Sequence, residues 1–181
     1  QVSRTHQNFN LTKRVYDEFC ALDAKVERCA VLLEADTQSG RPDNLLLVYH
    51  YLSRLDTFRK QTLDLMQAAP STAVSTIKRY FKKLDDLMNA FEEFYWRLPR
   101  QLFTMVERGQ ATYVVTMLKV LMAMDVTARP RFTTIIDDMI ATKFTTAIQA
   151  TGVTPSEDLA TVLETLSFWQ RDLLLVRDCL V

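Results

Sequence analysis

Glycine and proline are scarce in this chain, with three glycines and five prolines among 181 residues. Both residues interrupt helices, glycine through its backbone freedom and proline through its missing amide donor, so their scarcity allows long helices. Hydrophobic residues make up 48% of the chain. A chain of this length can bury roughly 70% of the surface that it exposes when unfolded. We therefore expect an ordered, all-α protein.

Net charge is also missing, because 22 basic residues balance 22 acidic ones. Non-specific binding to nucleic acid usually needs a strong positive field, so nucleic acid is not an expected partner. No apolar run reaches the roughly 20 residues that cross a membrane, and the first part of the chain carries charges where a signal peptide would be apolar. We expect a soluble, cytoplasmic protein with no transmembrane segment.

Cysteine and histidine are too few and too widely spaced for a recognisable site. Cys20, Cys29 and Cys179 form no C-x-x-C pair and are odd in number, which fits neither a disulfide framework nor a zinc site. His6 and His50 lack the E-x-x-H neighbourhood of metal sites in helical bundles. The sequence therefore predicts no metal and no cofactor.

Catalytic motifs are missing as well, since the chain has no glycine-rich phosphate loop and no G-x-S-x-G. Its carboxylate pairs are adjacent in sequence, which separates the two side chains by about 100° on a helix. These pairs are Asp85–Asp86, Glu92–Glu93 and Asp137–Asp138. We expect solvated helix faces, no catalytic residues and no enzymatic activity. A helical enzyme with polar ligands inside its core is the alternative from another class.

The chain is rich in apolar residues spaced three and four apart, the pattern of a helix face that packs on its neighbours. Three such ladders are the clearest. They are Val15, Phe19, Leu22, Val26, Cys29 and Leu33; Val74, Ile77, Phe81, Leu84, Met88, Phe91, Tyr95 and Leu98; and Leu159, Val162, Leu166, Trp169, Leu173, Val176 and Leu180.

Caps and helix breakers divide the chain into six predicted helices joined as antiparallel hairpins. Their approximate ranges are 10–35, 43–69, 72–107, 111–127, 131–151 and 155–181. Pro99 is expected to bend the third helix, Gly109 to end it, and Thr154, Pro155 and Glu157 to cap the sixth. A third helix on the order of 50 Å long predicts an elongated bundle, which we treat as one segment over 1–181.

The fourth predicted helix is apolar on more than one face. Either it lies between two layers of helices, or part of it meets a segment outside this chain.

The chain begins at Gln1 without methionine and stops at Val181 within an apolar run. We expect a fragment of a longer helical protein.

The sharpest charge feature is a basic cluster formed by Lys78, Arg79, Lys82 and Lys83. Two pairs within it have the i,i+4 spacing at which like charges mildly destabilise a helix. Three things can offset this repulsion: acidic side chains of a neighbouring helix, anionic lipid headgroups, or an acidic partner protein.

Two aromatic residues lie beside the longest ladder instead of on it, namely Phe94 and Trp96. Aromatic side chains off the packing face can anchor a partner helix, and they can equally pack in a second layer of the core. Together with the basic cluster, these residues are the candidate contacts with a partner or with lipid.

Several segments resemble one known family in order and spacing. They are N-L-T-K-R-V-Y-D-E-F at 10–19, L-L-E-A-D at 32–36, P-D-N-L-L-L-V-Y-H-Y-L-S-R-L-D-T-F-R-K at 42–60, V-V-T-M-L-K-V-L at 114–121, R-P-R-F-T-T-I-I-D-D-M-I at 129–140 and R-D-L-L-L-V-R-D-C-L at 171–180. In these segments the chain resembles the exocyst subunit of the Sec-six type, exocyst complex component three. The likeness covers nearly the whole chain and consists of hydrophobic-pattern motifs.

This resemblance implies a region that follows the family's N-terminal coiled coil, within a rod of stacked helical bundles. The exocyst tethers secretory vesicles to the plasma membrane before SNARE-mediated fusion. The implied partners are other exocyst subunits and SNARE proteins, with membrane association through the complex at sites of secretion. The family has no catalytic residues to carry over. Two alternatives stay open: a soluble helical regulator or scaffold that binds one amphipathic helix, and a peripheral module that binds anionic lipid.

Overall fold

The computed structural model describes residues 2–66 and 71–151, and these ranges contain helices and no strand. In chain order the helices are α1 (Val2–Ser39), α2 (Leu45–Leu65), α3 (Ser71–Tyr80), α4 (Lys82–Tyr95), a 3-10 helix (Pro99–Gln101), α5 (Leu102–Glu107), α6 (Ala111–Ala123) and α7 (Ala128–Thr151). The predicted all-α helical bundle is confirmed. The sixth predicted helix and its cap at Thr154, Pro155 and Glu157 lie outside the described residues.

The described residues form two compact units. Unit 1 comprises 2–40, 47–66 and 71–92, and unit 2 comprises 41–46 and 93–151. The sequence predicts one segment over 1–181 and marks only the boundary that follows Gly40. The other two boundaries fall inside α2 and α4, where no glycine or proline interrupts the apolar pattern.

The core of unit 1 is built from the apolar ladders of its helices. On α1 the buried ladder residues are spaced three and four apart, as the sequence predicts. The buried apolar residues of this unit are Leu22, Val26, Cys29, Leu33, Val48, Leu52, Leu55, Phe81, Leu84, Leu87 and Phe91. Burying one such large side chain stabilises the fold by about 1.5–3 kcal/mol, so this apolar contact is the main force that holds the unit together.

Four aromatic rings join α1, α2 and the junction between α3 and α4. The centroid of the Phe19 ring lies 5.2 Å from that of Phe58, 5.6 Å from that of Tyr80 and 5.8 Å from that of Phe81. Edge-to-face pairs of this kind contribute about 0.5–1.5 kcal/mol beyond their buried area. Phe81 is 1% exposed, which makes it the anchor of the cluster.

A charge network links α2 to α4. Arg59 forms ion pairs with Asp56 on its own helix and with Asp85 on α4, and Lys60 contacts the second oxygen of Asp56 at 2.8 Å. Asp85 therefore pairs with a base across the unit and does not act together with its neighbour Asp86.

The predicted helix over 72–107 is divided in the structure into α3, α4, the 3-10 helix and α5. The first division, at Phe81, is slight. The Phe81 amide donates to the Ile77 carbonyl at 3.2 Å, and the Asp85 amide donates to the Phe81 carbonyl at 3.0 Å. Helical hydrogen bonding thus continues across the junction of α3 and α4.

The second division, at Pro99, is complete. Proline has no amide to donate to the Tyr95 carbonyl, and the Leu98 amide donates to that oxygen instead, at 3.0 Å. The Gln101 amide then donates to the Leu98 carbonyl at 2.9 Å. The tighter i→i−3 bonding of a 3-10 helix satisfies the carbonyl that proline leaves free, so the chain makes a short turn and begins a new helix where the sequence predicts only a bend.

Gly109 ends α5 as the sequence predicts. Its φ of 68° lies in the left-handed region, its amide donates to the Val106 carbonyl at 2.9 Å, and the Gln110 amide donates to the Met105 carbonyl at 2.8 Å. These two bonds form a Schellman motif, which satisfies the last carbonyls of a helix.

Replacing Gly109 with alanine is expected to lower the free energy of unfolding by about 1–2 kcal/mol, the cost of a left-handed backbone for a residue with Cβ. An added Cβ would meet no atom within 4 Å, so steric overlap adds nothing to this cost. Urea unfolding of the chain followed by circular dichroism measures the change. Gly109→Asn is the matched control and should cost less, because asparagine tolerates this conformation better; equal costs for both variants would contradict the backbone explanation.

The core of unit 2 surrounds Tyr95, which is 0% exposed. Its hydroxyl donates to the Met117 carbonyl of α6 at 3.1 Å. Across this unit, α7 is attached by charged side chains: the Arg131 guanidinium lies 4.2 Å from the Trp96 ring centroid, and the Lys143 ammonium lies 4.5 Å from that of Phe103. The buried apolar residues are Leu45, Phe94, Tyr95, Leu98, Leu102, Phe103, Met105, Val114, Met117, Val120, Leu121 and Ala128.

Helix α6 is apolar beyond its buried face. Val115 and Leu118 are half-buried, whereas Met122 is 72% exposed. The described part of unit 2 therefore encloses only one side of α6.

After α6, the Asp125 carboxylate accepts a hydrogen bond from the Thr127 amide at 2.9 Å. Helix α7 then begins at Ala128 with Pro130 in its first turn, where a missing amide costs no hydrogen bond.

Candidate functional site

Lys78, Arg79, Lys82 and Lys83 form one continuous basic surface on unit 1, across the last turn of α3 and the first turn of α4. All four side chains are exposed. At about 100° per residue they span about 140° of the helix circumference, and the buried Phe81 lies outside this span, about 130° from its centre. The basic surface is therefore the solvent face of a helix whose other face is anchored in the core.

One of these four charges has an acidic neighbour in the structure. The Lys83 ammonium lies 3.4 Å from a carboxylate oxygen of Asp23 on α1, and both side chains are more than half exposed. An exposed pair of this kind contributes about 0–1 kcal/mol. Lys78, Arg79 and Lys82 form no ion pair with any residue in 2–66 or 71–151. The repulsion among these three charges is thus not offset by an ion pair within the described residues.

Two exposed tyrosines lie on the elements of this region, Tyr80 within the basic stretch itself and Tyr16 on the neighbouring α1. Tyr80 is 42% exposed, and its hydroxyl donates to the Phe19 carbonyl of α1 at 3.1 Å. Tyr16, 67% exposed, lies about one turn before Phe19 on α1. A hydrogen bond with the Cys20 thiol is the main cause that raises the pKa of the Tyr16 hydroxyl. Both rings therefore offer exposed apolar area.

Acidic residues lie around the same region. Asp23 of α1 and Asp86 of α4 are exposed. Asp86 follows Lys82 by four residues, so it stands one helical turn further along the same side of α4. The positive charge is consequently confined to a short strip with acidic groups beside it.

The two aromatic candidates lie in unit 2 and differ in exposure. Phe94 is 6% exposed, so its ring belongs to the interior of the unit and offers no surface to a partner. Trp96 is half-buried, with the Tyr95 ring 5.0 Å away and the Arg131 guanidinium on its face. Sequence reasoning missed the Arg131–Trp96 contact, because a pairing across 35 positions leaves no periodic signal.

The remaining polar candidates form no cluster. His50 is exposed, and its ring lies 6.3 Å from that of the adjacent Tyr51. Within 2–66 and 71–151, no three His, Cys, Asp or Glu side chains lie close enough together to hold a metal ion. None of the described helices has the length and apolar character needed to cross a membrane.

The two described cysteines should differ sharply in reactivity. Cys20 is exposed, whereas Cys29 is buried in the core, and burial raises the pKa of its thiol although the nearby Arg28 charge partly opposes this. In a Cys179→Ser background, we expect a disulfide reagent at pH 8 to modify Cys29 at least about 100-fold more slowly than Cys20, because reaction requires local opening. Unfolding in urea should equalise the rates, and equal rates in the folded protein would contradict the burial of Cys29.

Comparison with known proteins gives no match: no family model, no curated protein and no solved structure matches this chain.

Proposed function

We propose that this chain is a non-catalytic structural and interaction segment of an exocyst subunit of the Sec-six type. Its role is in the docking of secretory vesicles at the plasma membrane before SNARE-mediated fusion. Its partners are other exocyst subunits and SNARE proteins. It acts in the cytoplasm and reaches sites of secretion through the complex.

The observation that carries this proposal is the ordered resemblance of six sequence segments to that family. Five of these segments fall within the described residues, two on α1, one leading into α2, one on α6 and one on α7. Support of a second kind comes from the fold, because stacked helical bundles are the architecture that the resemblance implies. The exposed basic surface adds a region suited to a protein contact.

Affinity purification of the tagged chain from its own cells, followed by quantitative mass spectrometry, tests this proposal. We expect sister subunits of the exocyst to be enriched together over a tagged helical bundle of unrelated sequence. Circular dichroism on the recovered chain confirms that it is folded. Exocyst subunits at background level with a folded chain would overturn the proposal, and a single enriched protein outside the exocyst would favour a helical regulator instead.

A further inference from the structure

We propose that the basic surface, together with Tyr16 and Tyr80, binds an acidic amphipathic helix of a partner protein. The proposal rests on the proposed function for its setting, a multisubunit complex. It goes beyond that function by naming the surface and the chemistry that it recognises.

The first argument is the spacing of the charges. Lys78 and Lys82 stand one turn apart on one stripe of the helix, and Arg79 and Lys83 stand one turn apart on the next. Glutamates at i,i+4 spacing on a partner helix present the same repeat with the opposite sign. Since three of the four charges have no ion pair with the residues in 2–66 and 71–151, such a partner would relieve repulsion without breaking an ion pair within those ranges.

The second argument is the rigid aromatic edge. Tyr80 is held by its hydrogen bond to the Phe19 carbonyl and by ring contacts with Phe19 and Phe81, at 5.6 Å and 6.4 Å between centroids. A tyrosine that is already fixed loses little conformational entropy when a partner covers it. Tyrosine and arginine are also the residue types enriched at the centres of protein interfaces. The tyrosines thus supply apolar area for the apolar face of the partner helix.

The acidic neighbours favour a protein helix over a membrane. A flat anionic bilayer that reached the basic strip would also approach Asp23 and Asp86, and like charges would oppose it. A single helix is narrow enough to follow the basic strip and can place neutral or basic residues opposite those aspartates. The observations therefore favour a discrete acidic helix.

Fluorescence anisotropy tests this with a synthetic 20-residue helical peptide that carries glutamates at i,i+4 spacing on one face and leucines beside them. The chain combining Lys78→Glu, Arg79→Glu and Lys82→Glu should bind at least about 30-fold more weakly than the unaltered chain at 0.1 M salt. The matched control combines Arg54→Glu, Lys119→Glu and Arg129→Glu, three exposed bases elsewhere. It carries the same net charge and should stay within about threefold, because these bases lie on other helices and are not part of the basic surface.

Two further measurements keep the outcome decisive. A peptide with lysine in place of glutamate should bind the charge-reversed chain and not the unaltered one. Tyr16→Ser, at an exposed position, should weaken binding of the glutamate peptide about 3- to 10-fold without unfolding the chain. Equal loss in both triple variants would overturn the proposal, and so would binding to phosphatidylserine vesicles with no binding to the peptide.

The two proposals can fail separately. If the unaltered chain binds the peptide as expected but purifies without exocyst subunits, the proposed function fails and the surface stands. If exocyst subunits accompany the unaltered and charge-reversed chains equally, and peptide binding is also equal, the surface fails and the function stands.

Discussion

Replacing Phe81 with alanine is expected to lower the free energy of unfolding of unit 1 by about 3–5 kcal/mol. The ring is 1% exposed and contacts Phe19, Phe58 and Tyr80 across three helices. Its loss removes apolar burial and leaves a cavity that the surrounding helices fill only in part. Phe91→Ala, at a second buried position of α4 beside the Tyr49 ring, should have an effect of the same size.

Urea unfolding followed by circular dichroism measures these changes, with Leu65→Ala as the matched control. Leu65 is an apolar residue on α2 that is 71% exposed, so its replacement should change the free energy of unfolding by less than about 0.5 kcal/mol. Unchanged midpoints for both phenylalanine variants would mean that the inward face of α4 has been assigned to the wrong residues.

The second large effect is expected at Tyr95 in unit 2. Tyr95→Ala removes a ring that is wholly buried and should cost about 3–5 kcal/mol. Tyr95→Phe keeps the ring and removes only the hydroxyl that donates to the Met117 carbonyl, so it should cost about 0.5–1.5 kcal/mol. The pair of variants separates packing from hydrogen bonding at one position.

Tryptophan fluorescence reports on this unit, since Trp96 lies directly beside Tyr95 with their ring centroids 5.0 Å apart. Unfolding curves in urea for the two variants should differ by roughly 2–4 kcal/mol, which is the packing contribution alone. Equal losses would show that the hydrogen bond, and not the buried ring, holds α4 against α6.

The features that the sequence predicts correctly are those controlled by residues close to each other in the chain. The four residues of the α1 ladder from Leu22 to Leu33 are buried as their spacing indicates, and Gly109 ends a helix because only the local backbone needs its left-handed conformation. The basic surface is likewise exposed because its four residues span a side of the helix that excludes the buried Phe81. In each case periodicity or backbone geometry contains the information.

Features that neither periodicity nor a single backbone conformation encodes were not predictable in the same way. At Pro99 the chain forms a 3-10 helix and then begins a new α-helix, because the Leu98 amide donates to the Tyr95 carbonyl. A proline within a helical pattern predicts a bend and does not show that this alternative hydrogen bond will form. Phe94 lies off the ladder by spacing but is buried at 6% exposure, which periodicity alone does not indicate. The Arg131–Trp96 contact depends on the path of α7.

The most direct test of the account is zero-length carbodiimide cross-linking of the exocyst purified with the tagged chain, analysed by mass spectrometry. This chemistry joins a lysine to a carboxylate in direct contact. We expect links from Lys78 or Lys82 to aspartate or glutamate residues on a helix of a sister subunit, and their loss when both lysines are changed to glutamate. A folded chain that purifies with no exocyst subunit and forms no intermolecular link would contradict the account.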